Sequence, residues 1–238
     1  MEIPAISLQP FTSVWDKLPQ PVLSVQPKPM EAFAQDYGFI LYRTELIGHK
    51  SGKLVVTDLH DYATVFLNGA YVGKLDRREG INSIEIPAGN LQVPVLEILV
   101  EAMGRINFGE YIIDRKGITD RVTLNGMTLM NWKIYNLPMD RKYIYDLRSS
   151  GKTLNKPGIF FRGNFFIQKT GDTFFDLINY TKGVVWINGH NLGRFWNIGP
   201  QKRLYCPESW LNEGLNEILI FDLHLTGPKP VFGMKTPE

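Results

Sequence analysis

The chain has 238 residues, 44% of them hydrophobic and 21% charged, with a formal net charge of +2. That length fits one large or two modest domains, each able to bury a core. The charge balance and the absence of a Lys/Arg block give nucleic acid no support as a partner. No apolar run reaches the ~18 residues that crossing a bilayer needs, and a single cysteine, Cys206, excludes an intrachain disulfide framework or a cysteine-rich zinc site.

Taken in order, the elements are those of a β protein. The start, Met1-Glu2-Ile3-Pro4, lacks the pattern of a signal peptide and is expected to be either an artificial start or the interior of a longer chain. The pattern from Ala5 to Trp15 resembles that from Val122 to Trp132. Met30 to Gln35, after Pro29, is the best short helical turn. Apolar strands are predicted at Thr64 to Leu67, Ile84 to Ile86, Leu96 to Val100, Val184 to Ile187, Leu204 to Cys206 and Glu217 to Phe221. Asn68-Gly69, Asn125-Gly126 and Asn188-Gly189 mark hairpins, because both residues tolerate the positive φ of a type I′ turn. Short strands at regular spacing predict an all-β sandwich or jelly roll, not alternating βα units.

The chain also repeats itself. Residues 61–100 lie over 181–220 without a gap, and nine positions are identical: Val65/Val185, Asn68/Asn188, Gly69/Gly189, Gly73/Gly193, Pro87/Pro207, Leu91/Leu211, Glu97/Glu217, Ile98/Ile218 and Leu99/Leu219. The offset of 120 is the size of a domain, not of a solenoid repeat. The expected organisation is therefore an N-terminal segment 1–29, a first β-sandwich 30–135, a second β-sandwich 136–230 and a tail 231–238. The N-terminal segment is expected to return and complete the second sandwich, leaving the first inserted between the two parts of its neighbour.

Four stretches stand out together: Gln-Asp-Tyr-Gly-Phe-Ile-Leu-Tyr-Arg at 35–43, His-Asp-Tyr-Ala-Thr-Val-Phe-Leu-Asn-Gly at 60–69, Gly-Arg-Ile-Asn-Phe-Gly at 104–109, and 182–196, which ends Asn-Gly-His-Asn-Leu-Gly-Arg-Phe-Trp. The set resembles the C-terminal domains of glycoside hydrolase family 35, the β-galactosidases. The resemblance implies two galactose-binding-like jelly-roll β-sandwiches in tandem. It further implies an N-terminal (β/α)₈ barrel carrying two catalytic glutamates. A barrel takes about 250 residues and cannot share this chain with two sandwiches. No catalytic residues and no hydrolysis are therefore expected of the chain alone. The implied role is to pack on that barrel and shape its active-site entrance, with the barrel as partner and galactosides and a homo-oligomer as further candidates. The resemblance also favours a periplasmic or secreted setting.

No other chemistry competes strongly. His49, His60, His190 and His224 lack metal-ligand spacing, so no metal and no cofactor are expected. There is no nucleophile-elbow, phosphate-loop or dinucleotide motif. Cys206 and the repeated pair Glu97 and Glu217 read as structural. Two loops carry site candidates. In the first, Arg105, Asn107 and Phe108 follow a strand, and the resemblance implies that this loop reaches the rim of the barrel's galactose pocket. Phenylalanine stands at 108 where the family pattern has tyrosine, which removes a hydroxyl. The bland alternative is that Phe108 packs on its own domain and Arg105 pairs with a local acid. In the second, Arg194, Trp196 and Tyr205 are candidates for carbohydrate or interdomain contact, since a flat aromatic face with planar donors suits a sugar. An autonomous lectin-like module, an unrelated enzyme and an adhesion protein are the rival readings.

Overall fold

A computed structural model of the chain describes residues 1–48, 51–89 and 92–237. His49 and Leu91, with the Leu91/Leu211 identity, lie outside the described residues. The chain divides into two compact bodies. One is Leu18–Tyr143; the other joins Met1–Lys17 to Ile144–Glu238. The first is thus inserted into the second along the sequence.

The inserted domain is a β-sandwich. Its larger sheet has six strands, in the order Val22–Ser24, Trp132–Leu137, Phe39–Glu45, Val95–Glu101, Tyr62–Leu67 and Ala70–Asp76. Its smaller sheet has four: Met127–Thr128, Val122–Leu124, Gly52–Val56 and Ser83–Ile86. Ile40, Tyr42, Val65 and Ile98 from the first layer meet Leu54, Val56, Ile86 and Val122 from the second in one core. A two-stranded ribbon, Leu59–His60 with Gly117–Ile118, sits beside them. Its Gly117 has φ +102°, and a Cβ there would lie 2.4 Å from the Tyr42 hydroxyl. That hydroxyl accepts from the Ile118 amide at 3.0 Å and donates to the Lys28 carbonyl at 2.7 Å, which locks the ribbon to the core.

The host domain repeats the plan. Its five-stranded sheet runs His190–Trp196, Lys182–Ile187, Gly214–Asp222, Ile159–Ile167 and Gln9–Ser13. Its four-stranded sheet runs Ile3–Ile6, Val231–Met234, Thr173–Asp176 and Arg203–Cys206. The N-terminal strands therefore supply an edge to each layer. Gly163 shows how closely they pack: a Cβ there would meet the Ser7 carbonyl oxygen at 2.7 Å. The segment expected as 1–29 divides after Lys17, because Val22–Ser24 pairs with Trp132–Leu137 in the inserted domain. The expected tail 231–238 contains the strand Val231–Met234, whose Val231 is fully buried.

The repeat is visible in three dimensions. All three Asn-Gly pairs have both φ angles positive, at 50–51° for Asn and 79–82° for Gly. The two hairpins that the repeat relates, at Asn68-Gly69 and Asn188-Gly189, carry a bulge at the same place: Val65 faces Gly73 while Phe66 faces Tyr71, and Val185 faces Gly193 while Trp186 faces Asn191. The third strand does not keep the offset of 120. Leu67 pairs with Leu96, but Ile187 pairs with Ile218. Relative to its hairpin, the strand in the second copy has moved by two residues. A two-residue shift restores the same face of a strand, so the buried pattern survives and the gapless match conceals the shift. Glu97 consequently faces Arg43 directly, with Nη2 to Oε1 at 2.6 Å, whereas Glu217 faces Asn164 and reaches Arg162 diagonally at 3.2 Å.

Candidate functional site

A charged cluster lies at the end of the inserted sandwich, around the ribbon Leu59–His60/Gly117–Ile118. Register places His60 opposite Gly117, which brings Asp58, His60 and Asp61 to the chain that contains Asp114 and Lys116. Lys116 is fully buried. Its ammonium donates to Asp61 Oδ2 and Asp114 Oδ2, each at 2.7 Å, and to the Gly104 carbonyl at 3.1 Å. An ammonium has three N–H donors, so all three are used. Arg77 donates to Asp61 Oδ1 at 2.9 Å and to Asp114 Oδ1 at 3.1 Å. The His60 ring lies between carboxylates, Nδ1 2.8 Å from Asp114 and Nε2 2.9 Å from Asp58.

These partners set the electrostatics. Burial alone would raise the Asp114 carboxyl. Hydrogen bonds from Lys116 and His60, the Lys116 charge and the Arg77 hydrogen bond outweigh it and hold that carboxyl well below the usual range. Asp58 follows the same logic: burial raises it, but bonds from Thr119 and His60 lower it further. His60, Asp61 and Asp114 offer ligand atoms within 4.8 Å of one another, a spacing that suits a cation. The Lys116 ammonium bridges these same two carboxylates, through Asp61 Oδ2 and Asp114 Oδ2, and so supplies a positive charge between them.

The cluster closes the base of a loop. Residues 104–113 are ten consecutive exposed residues between buried Ala102 and buried Asp114. At the entry, the Met103 amide donates to Asp61 Oδ2 at 2.9 Å and the Ile106 amide to Asp114 Oδ2 at 3.3 Å. Arg105 donates to Glu31 at 2.6 Å and to the Asp114 carbonyl at 2.8 Å. Glu31 in turn accepts from the Lys116 amide at 3.1 Å. The tip turns at Gly109, whose carbonyl accepts from the Ile112 amide at 3.3 Å. Its apolar side chains face outward: Phe108 is 88% exposed, Ile113 84%, Tyr111 68% and Ile112 59%.

Of the first candidate set, Arg105 anchors the loop base through a local acid, while Asn107 and Phe108 are exposed in the loop. The packing of Phe108 on its own domain, the bland alternative, is not what the structure shows. In the second set, Arg194 and Trp196 share one face of an edge strand, with core-facing Phe195 between them. Lys182 Nζ lies 3.7 Å from the Trp196 ring centroid. Tyr205 belongs to the other layer, between core residues Leu204 and Cys206, and lies 5.4 Å from Phe174. The three therefore point away from the core on opposite layers and do not converge. The cluster of His60, Asp61, Arg77, Asp114 and Lys116 carries no signal of metal or catalytic spacing in the sequence. The one available hint is Asp114 and Lys116 two apart, just before an apolar Gly117-Ile118.

A pair of antiparallel sandwiches, one inserted into the sequence of the other and bearing an outward apolar loop, defines a tandem β-module. Residues 27–138 match the family model for the first all-beta domain of β-galactosidase, and 158–216 match that for the β-galactosidase galactose-binding domain. A β-galactosidase of Xanthomonas manihotis is 42% identical over 211 residues, covering 87% of this chain and 34% of its own length. Human β-galactosidase-1-like protein 2 is 37% identical over 256 residues, covering 99% of this chain and 39% of its own length. Among solved structures, the apo form of a Pleurotus ostreatus lectin aligns over 91% of this chain and 78% of its own at 12% identity, with a TM-score of only 0.30. The chain belongs to the β-galactosidase family, of which it carries these two β-domains. It spans a little over a third of the length of the two curated relatives.

Proposed function

We propose that the chain is the non-catalytic, C-terminal region of a family 35 β-galactosidase. In this reading it packs on a (β/α)₈ barrel that hydrolyses terminal β-galactosides, and loop 104–113 shapes one wall of the active-site entrance. The observation that carries it is the outward set Phe108, Tyr111, Ile112 and Ile113 on a loop fixed at its base. Exposed apolar side chains gathered on one loop favour burial by a partner, at about 25 cal/mol per Å². The chain's share of its relatives' length leaves room for a barrel in them.

The test is a chimaera in which this chain replaces the matching third of the Xanthomonas enzyme. It should hydrolyse a nitrophenyl β-galactoside, and Phe108→Ser with Ile113→Ser should lower kcat/KM at least tenfold. The chain alone should release no nitrophenol. Kinetics indifferent to the loop substitutions, or hydrolysis by the chain alone, would count against the reading.

A second reading, autonomous galactoside binding, draws support from the match of 158–216, which contains Arg194, Trp196 and Tyr205, to a galactose-binding domain. Calorimetry with lactose decides it. Millimolar or tighter binding that Trp196→Ala abolishes favours the lectin-like module, and no heat favours the architectural role.

A further inference from the structure

We infer that Lys116 is a positioning residue that clasps both ends of loop 104–113 to the sheet and so presents the apolar tip as a fixed surface. Its three acceptors come from three separate places: Asp61 at the start of the strand Tyr62–Leu67, Gly104 at the loop's entry and Asp114 at its exit. Removing the ammonium breaks all three ties at once. It also leaves the Asp61 and Asp114 carboxylates facing each other, with Arg77, itself 39% exposed, as the cation that still bridges them. Two of the amides that define the loop's path, Met103 and Ile106, donate to the very oxygens that Lys116 holds in place. Arg105 cannot substitute, because its bonds run to Glu31 and to the Asp114 and Asp36 carbonyls and not to either buried carboxylate.

A loop whose tip must meet a partner gains from being ordered in advance, since ordering on contact costs conformational entropy. Placing the clasp beneath the tip separates the two tasks. The polar groups set position, and the apolar side chains make the contact. The docking half of this statement rests on the function proposed above; the clasp does not.

The clasp is tested on this chain alone, by limited chymotrypsin digestion at the exposed Phe108 and Tyr111. A protease must draw out several residues on each side of its target, which a loop fixed at both ends resists. Two variants are compared with the parent: Lys116→Met, and Lys116→Met combined with Asp61→Asn and Asp114→Asn, which removes the charge without stranding a buried carboxylate. Cleavage at 108 and 111 should accelerate at least tenfold in the folded variants, with other sites unchanged. Unchanged loop cleavage in a folded variant overturns the clasp, and so does equal acceleration at every site. If neither variant folds, Lys116 holds the domain and not the loop, and the inference fails. In the chimaera, the same substitutions should change KM more than kcat. Loop release without any change in chimaera kinetics leaves the clasp standing and defeats the docking reading.

Discussion

Deleting residues 1–17 should unfold the host domain and spare the inserted one. The deletion removes the strands Ile3–Ile6 and Gln9–Ser13, one from each layer. Ile3, Ile6 and Leu8 are each no more than 3% exposed and belong to the host core. At about 1.5–3 kcal/mol per fully buried aliphatic side chain, their loss costs about 5–9 kcal/mol, before the broken pairing to Ile159–Ile167 and Val231–Met234 is added. A domain's whole stability is about 5–15 kcal/mol, so the remainder is at or beyond its limit. It would also present new open edges, which promote association. Hydrogen exchange is the assay. Amides of Gly214–Asp222 and Lys182–Ile187 should lose protection, while those of Phe39–Glu45 and Val95–Glu101 in the inserted domain keep theirs. Full protection of Gly214–Asp222 in the deleted chain would refute the reasoning, because it would mean that the N-terminal strands cover the core without supporting it.

Three further outcomes are expected. Gly183→Ala places a Cβ 1.8 Å from the Phe221 carbonyl oxygen and 3.0 Å from the Phe195 ring, with main chain unable to step aside, and should cost the host domain upward of about 3 kcal/mol in urea titration. Because the folded-state pKa of Asp114 is depressed, its contribution to stability is complete above the unfolded value of about 4 and is lost as pH falls through the folded one. The urea midpoint of the inserted domain should therefore drop between about pH 5 and pH 2, and drop less in Asp114→Asn. Cys206 is buried and its thiol is pushed up to about 12 by burial, then by the Asp172 charge, so an aromatic disulfide reagent at about pH 8 should fail to react until urea is added.

Much of the fold was legible because its signals are local. An Asn-Gly pair between apolar runs needs only its own φ preferences to make a hairpin, and all three do so. The repeat exposed the two-domain plan for the same reason: hairpin, bulge and glycine are a local grammar. What was hidden depends on distant pairing. Val231–Met234 reads as a tail until Ile3–Ile6 and Thr173–Asp176 flank it. The two-residue shift of Gly214–Asp222 is silent because strand faces repeat every two residues. The short helix Arg141–Tyr145 is too brief to show a 3.6-residue stripe. The site divided along the same line. The exposed loop at 104–109 could be found from its two glycines, but its anchor could not. Asp61 and Arg77 meet across the first Asn-Gly hairpin, but Asp114 and Lys116 reach them through a two-residue ribbon that no spacing along the chain announces.

The insertion of one domain into the sequence of the other also favours an order of assembly. Gln9–Ser13 must find Ile159–Ile167 across the whole of the inserted body. While that body is unfolded, the pairing closes a loop of about 146 residues. Once it has folded, its own ends are held by the pairing of Val22–Ser24 with Trp132–Leu137, and the loop that remains behaves as a short one. On the logarithmic law for loop closure, closing about 35 residues in place of about 146 saves about 1.3 kcal/mol of entropy. Folding of the inserted domain first thus lowers the entropy that its host must lose to pair Gln9–Ser13 with Ile159–Ile167. A substitution that slows its folding should delay the host's folding too, even where it touches no residue of the host core.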